Sequence, residues 1–159
     1  MKLLRGVNLG GYLSQCKHSL EHYDEFIKED DIKKIVEWGF DHIRFPIDYE
    51  VLEHKNGDDY VEGISYVNQV ISWCQEYGID VVLDLHKAYG YDFNDVGDAE
   101  KNNLFSDEAL KKRFVDLWIR MAKRYGSFKF VAFELLNEVV EEENAAVWND
   151  LINQTVKAI

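Results

Sequence analysis

Three times along the chain a helical stretch closes on an aromatic residue and a glycine, and a short apolar run follows within a few residues. The pairs are Trp38-Gly39, Tyr77-Gly78 and Tyr125-Gly126, and the runs are His42–Ile47, Asp80–His86 and Phe130–Leu136. Glycine tolerates the left-handed backbone that follows a helix end. Runs of about four to eight apolar residues between turns suit strands buried on both faces. A first run of the same kind occupies about Lys2–Leu9. Between the runs, apolar positions recur at helical spacing. Ile64, Val67, Ile71 and Cys74 share one face, and so do Leu110, Phe114, Leu117 and Met121. Ser106 is the expected N-cap of the latter helix, with Asp107 and Glu108 in its first turn. Ile32, Ile35 and Val36 mark a shorter helix before Trp38, and Trp148, Leu151, Ile152 and Thr155 begin a last one running to Ile159. Strict alternation of this kind predicts an α/β fold of four parallel βα units, with right-handed crossovers and helices covering the sheet.

Length and charge narrow the choice. The 159 residues are enough for one domain with a core, but a complete (β/α)8 barrel takes about 250. Four units fit either an open doubly wound sheet or half of a barrel. Gly6–Gly11 is not a GxGxxG fingerprint and no GxxxxGK[ST] occurs, which argues against nucleotide binding. The net charge of −12, from 18 basic and 30 acidic residues, disfavours nucleic acid and anionic membranes as partners. No apolar run approaches the roughly 18 residues of a membrane span. The opening Met1–Gly6 has neither an apolar leader region nor a cleavage site. A soluble chain without a signal peptide is expected, either cytoplasmic or secreted after processing. Cys16 and Cys74 lack metal or redox spacing and are expected as reduced thiols.

The informative feature is what ends each run. Asn8 stands at the end of the first, Arg44 and Asp48 belong to the second, Asp84 and His86 to the third, and Asn137 and Glu138 follow the fourth. In parallel α/β folds that edge of the sheet carries the active site. Singly, Arg44 reads equally well as an interior ion-pair partner, His86 as a hydrogen-bonded core histidine and Asn137 as a loop cap. Four strand ends presenting polar groups to one edge make a site of them. The segments Tyr12–Tyr23 and Lys87–Asn103 read as long loops on the same edge, with His18, His22, Tyr89, Tyr91 and Phe93. Aromatic rings beside Asp and Asn suit a sugar, which offers apolar ring faces and a rim of hydroxyls. A metal on His18, His22 and His86 would need His18 and His22 on a helix, and neither a metal nor a cofactor is expected.

Leu135-Leu136-Asn137-Glu138 resembles the Asn-Glu signature of glycoside hydrolase family 5. Arg5–Gly11, His42–Pro46 and Leu83–His86 are similar to that family in order and spacing, and the likeness covers the whole chain, most of all with clostridial endoglucanases. It implies that residues 1–159 are the N-terminal half of a catalytic TIM barrel, the C-terminal half being absent. It also implies a retaining glycosidase acting on β-glucan. Glu138 would be the general acid/base, Asn137 would bond the sugar 2-hydroxyl, Arg44 would keep the nucleophile ionised and His86 would line the −1 subsite. Asn8, His18, Tyr89, Tyr91 and Phe93 are the candidate substrate contacts. Retaining chemistry needs a carboxylic acid on the leaving oxygen and a second carboxylate attacking the anomeric carbon. In the family that nucleophile is a Glu on the seventh strand, which this chain does not include. Glu134 lies four residues before Glu138, about 13 Å away at about 3.3 Å per residue, too far for either the retaining or the inverting spacing. Asp48 and Asp84 match no nucleophile position. The expected partners are β-glucan and either a C-terminal half barrel or a second copy, since open sheet edges seek strands. A non-catalytic glycan-binding fragment, or a purely structural half barrel that self-associates, would keep the same residues.

Overall fold

The apolar runs lie side by side in a single parallel sheet. The computed structural model describes residue 1 and residues 3–159. In it β1 (Gly6–Asn8), β2 (His42–Asp48), β3 (Asp80–Lys87) and β4 (Val131–Glu134) are arranged in the order β1-β2-β3-β4. Every neighbouring pair is parallel. The helices are α1 (Leu20–Phe26), α2 (Glu29–Glu37), α3 (Tyr49–Leu52), α4 (Val61–Tyr77), α5 (Glu108–Tyr125) and α6 (Ala145–Ala158). Strands following one another in sequence order are consecutive staves of a barrel; a doubly wound sheet would reverse its order at a switch point. No helix of the described residues is long and apolar enough to cross a membrane. Cys16 and Cys74 are free thiols.

The two-residue period of a strand decides its faces. Ile43, Phe45 and Ile47 of β2 and Val81, Leu83 and Leu85 of β3 are buried. Ile47, Leu83 and Leu85 meet Leu52, Leu117, Trp118 and Met121 on the helical side. On β4 the Phe133 ring lies 5.3 Å from that of Trp118, whose indole N–H donates to the Leu135 carbonyl at 3.1 Å. The alternate positions form rows on the other face: Asn8 pairs with Arg44, and Pro46, Asp84 and Glu134 stand in register. Polar residues therefore dominate the face that would look into a barrel.

Several local expectations are corrected. β1 begins at Gly6 and not near Lys2, which lies outside the described residues. The amides of Leu4 and Arg5 instead donate to the Asp41 carboxylate at 3.0–3.2 Å. Gly6 faces His42 across the sheet, and a Cβ there would come within 2.1 Å of the imidazole. The N-cap of α5 is Asp107 and not Ser106. Its carboxylate accepts from the amides of Ala109 and Leu110 at 2.8 and 3.2 Å, and its charge suits the helix N-terminus. The left-handed glycine follows a helix at Gly39 (φ 81°) and Gly78 (φ 67°), whereas Gly126 stays right-handed. α1, which starts inside the segment read as a loop and runs past its end, is capped by the Ser19 hydroxyl. β4 stops at Glu134, short of the expected Leu136.

A buried carboxylate fastens the helical layer. Glu53, just after α3, is 2% exposed and takes the Arg113 Nε–H at 2.7 Å and a second bond from Arg120. Arg113 also donates to the carbonyls of His54 and Lys55 at 2.9 and 2.7 Å. The connection from α3 to α4 is thereby tied to α5. Removing the carboxylate takes from Arg113 its only carboxylate partner among the described residues and leaves Arg120 with Asp59 alone. Glu53→Ala is expected to lower the urea-unfolding free energy by about 3 kcal/mol. A loss under about 1 kcal/mol, the range of exposed pairs, would show that other contacts hold this connection.

Candidate functional site

At the C-terminal edge of the sheet one guanidinium reaches every strand. Arg44 leaves β2 on the inner face. Its Nε and Nη2 donate to the two oxygens of Glu134 at 2.8 and 2.7 Å, the bidentate geometry that makes arginine–carboxylate pairs strong. Nη2 also lies 2.8 Å from Asp84 Oδ2 and 2.9 Å from Asn137 Oδ1. Nη1 donates to Asn8 Oδ1 at 3.1 Å. A guanidinium only donates, so both asparagines must turn their amide oxygens towards it. Their NH2 groups are left for other acceptors.

Asp84 is fully buried, and its Oδ2 is shared between Arg44 and the His86 Nδ1, 2.8 Å away. Burial nevertheless pushes its carboxyl above the usual carboxylate range, against the opposing pull of His86 and Arg44. The Asn137 amide donates to the Leu85 carbonyl at 3.1 Å, so β3 still guides the chain beyond β4. Glu138 comes next, exposed and at φ +45°. That conformation is uncommon outside glycine and marks stored strain. Tyr91, from the segment after β3, spans the strained turn. Its hydroxyl donates to the Glu138 carbonyl at 2.8 Å and accepts from the Val140 amide at 3.2 Å.

Beside this edge lies an open cleft of about 440 Å3, lined by Gln15, Cys16, His18, Asp48, His86, Lys87, Asp92 and Asn94. A second cleft of about 360 Å3 runs past Tyr49, Tyr89 and Asn103. The comparisons with known proteins bear on what such an edge serves. The model of Cellulase (glycosyl hydrolase family 5) matches residues 5–159. The chain belongs to glycosyl hydrolase family 5. It is 46% identical over 158 residues to Endoglucanase C of Acetivibrio thermocellus, covering 97% of this chain and 45% of that protein. It is 42% identical over 150 residues to Cellodextrinase A of Ruminococcus flavefaciens, covering 94% and 44%. The chain thus spans less than half the length of the curated relatives it matches. Cel5A of Thermotoga maritima, solved in complex with cellobiose, superposes with a TM-score of 0.75 at 27% identity, over 99% of this chain and 47% of that one. The fold is that of half a (β/α)8 barrel.

Within this family member, the residues singled out by sequence divide by position. Asn8, Arg44, His86 and Asn137 are joined through Arg44 and Asp84. Glu138 adjoins them along the chain. His18 shares the first cleft with His86. Tyr89 borders the second cleft, with the Arg113 guanidinium 3.8 Å from its ring centre and Tyr49 edge-on to it. Phe93 is exposed. Tyr91, expected among the substrate contacts, is buried at 1% exposure and spends its hydroxyl on the Glu138 turn. His22 donates no group to the His18 cluster; its Nε2 lies by the Gly11 and Tyr12 carbonyls. Sequence reasoning missed Glu134 as the bidentate partner of Arg44. The parity of strand positions places Glu134 and Asp84 on one face, but nothing in the sequence gives the register. It also missed the Tyr91 clamp, for which the sequence holds no signal.

Tyr91→Phe keeps the ring and removes both clamp bonds. The unfolding free energy should fall by about 1–2 kcal/mol. Amide exchange at Val140 should accelerate by at least about tenfold, since its bonded partner is gone. Unchanged exchange at Val140 would mean that other contacts hold the turn.

Proposed function

We propose that this chain supplies the acid/base half of a retaining endo-β-glucanase site, completed by a carboxylate from outside its residues. The observation that carries this reading is the placement of Glu138, exposed and fixed by a strained turn, next to Asn137 at an edge gathered by Arg44. The family membership and the relatives named Endoglucanase C and Cellodextrinase A support β-glucan as the substrate class.

In the proposed reaction Glu138 gives its proton to the glycosidic oxygen. The bond from that oxygen to the anomeric carbon breaks, and the leaving sugar departs as an alcohol. The external carboxylate bonds to the anomeric carbon from the opposite face, about 5–5.5 Å from Glu138 as retention requires. A water then gives a proton to the Glu138 carboxylate and displaces the ester, returning both carboxyls to their starting states. Asn137 contributes its free amide NH2 to the sugar 2-hydroxyl, the amide oxygen being committed to Arg44. A fixed guanidinium at this edge favours the ionised form of an incoming nucleophile. His86, oriented by Asp84, lines the sugar-binding end of the site. β1 and β4 are the sheet edges. They pair with a C-terminal half barrel or, in its absence, with a second copy.

Hydrolysis of soluble mixed-linkage β-glucan tests the reading. The purified chain should release no reducing sugar, with or without Glu138→Gln. Supplying the C-terminal half of Endoglucanase C should restore turnover, and Glu138→Gln should then lower kcat by about 10²–10⁴-fold. Activity of the chain alone that vanishes in Glu138→Gln would show that a second copy, Asp48 or Asp84 provides the nucleophile. Turnover indifferent to Glu138 would remove its role as acid.

A further inference from the structure

A second cluster borders the cleft beside His86, and the proposed reaction does not use it. His18, from the segment after β1, and Asp48 and Glu50, from the end of β2 and the start of α3, bring one ligand atom each within 4.8 Å of one another. Asp48 is 3% exposed, and its Oδ1 is buried without a hydrogen-bond partner. Glu50 Oε2 is likewise buried and unpartnered. Two carboxylates thus keep a desolvated oxygen unanswered at one place, a costly arrangement unless a cation or donor comes to it.

The remaining atoms of the three side chains are held from outside. The Tyr23 hydroxyl lies 2.7 Å from His18 Nδ1. The Gln15 amide donates to Asp48 Oδ2 at 2.8 Å. The Lys87 ammonium donates to Glu50 Oε1 at 2.9 Å. Outer partners of this kind orient metal ligands and fix the imidazole tautomer. His18 Nε2 shares a proton with Asp48 Oδ2, 3.1 Å away; a metal at Nε2 takes the place of that proton and leaves Nδ1–H to donate to the Tyr23 hydroxyl. Cys16 lies near the other nitrogen, 3.7 Å from Nδ1, and is not counted as a ligand. Lys87 also faces Asp92 at 3.5 Å. The carboxylates of Asp48, Glu50 and Asp92 against the Lys87 ammonium leave two negative charges, which is the charge of one divalent ion.

We propose that His18, Asp48 and Glu50 bind a divalent transition-metal ion, with zinc the best match. One imidazole nitrogen and two carboxylate oxygens suit zinc, whereas calcium and magnesium favour oxygen alone. Ligand atoms on a tetrahedral zinc stand about 3.4 Å apart, so closing on the ion takes side-chain movements on the order of 1 Å. Two of the three residues, His18 and Asp48, line the cleft. The sequence alone points only to His18, His22 and His86 as a metal set, and that set is not assembled here.

The test is calorimetric titration of Zn2+ into the full chain after chelator treatment and exchange into chelator-free buffer. One ion per chain with micromolar or tighter affinity is expected. His18→Ala, Asp48→Asn and Glu50→Gln should each weaken binding at least about tenfold, and Tyr23→Phe by about tenfold through His18. Lys87→Met removes the competing ammonium and should tighten binding, a gain that a poorly folded variant cannot produce. His54→Ala, at an exposed histidine elsewhere, should change nothing. Absence of binding, or binding unmoved by His18→Ala and Asp48→Asn, overturns the proposal. So does binding that only His54→Ala reduces.

Discussion

Arg44 holds together the ends of four strands with one side chain. It is only partly exposed, and its bonded partners sit on β1, β3, β4 and the turn beyond β4. A guanidinium cannot shed its charge in a protein and presents its donors in a fixed plane. The acceptors must therefore come to it. A buried carboxylate such as Asp84 is tolerated only beside cations and donors. The Arg44–Asp84 contact explains why a charged row can stand on a face that an isolated sheet would fill with apolar side chains. It also sets the asparagine amides, because their oxygens are claimed first.

What Arg44 does for the strand ends, Tyr91 does for the turn that follows. β4 is four residues long, too short to fix what lies beyond it by ladder bonds alone. The Asn137 amide still reaches Leu85, but Glu138 turns away at positive φ. Its cost, of order 1–3 kcal/mol for a non-glycine residue, persists only where the surroundings over-determine the conformation. A buried tyrosine with its hydroxyl bonded on both sides of the residue is such a surrounding. Burial also keeps the Tyr91 hydroxyl protonated, so its donor towards Glu138 is retained. An exposed side chain on a fixed backbone results, which suits a group that must meet a substrate.

The strand and helix pattern was legible because it depends on local chemistry. Ile64, Val67, Ile71 and Cys74 could face one way only on a helix, and their burial on α4 follows. The polar residues at four strand ends were legible for the same reason, since the end of an apolar run is visible in the chain. Boundaries were less so. Asp41 captured the amides of Leu4 and Arg5 and shortened β1, a contact across 36 and 37 residues that no window of sequence contains. Ser106 and Asp107 are both good caps by type, but Ser106 spends its hydroxyl on the Asn103 carbonyl and Asp107 takes the amides of Ala109 and Leu110. Tyr91 looked like a sugar platform because an aromatic in a long loop is ambiguous until its burial is known. Distance along the strand rules out Glu134 as a catalytic partner of Glu138 but says nothing of what it does pair with. Its engagement with Arg44 depends on strand register, which fixes which side chains face each other across β2, β3 and β4.

The two charged clusters at this edge differ in how their spare atoms are answered. Asp84 Oδ1 has no partner, but its Oδ2 is met by both the Arg44 guanidinium and His86 at 2.8 Å, so fixed partners already stand against that carboxyl. The cluster of His18, Asp48 and Glu50 has no single carboxylate buried so deeply between cations. Its unpartnered oxygens belong to two residues facing one imidazole across a few ångströms. One proton answers one oxygen, whereas one divalent ion answers both and takes the imidazole lone pair as well. Lys87 already neutralises Glu50 from its other oxygen, and it leaves Oε2 free because an ammonium held by Asp92 as well cannot sit on both sides of Glu50. The geometry that separates a saturated ion-pair network from a ligand-competent one is thus the number of lone pairs left after every fixed cation and amide has been assigned. By that measure the cluster beside the cleft is the open one.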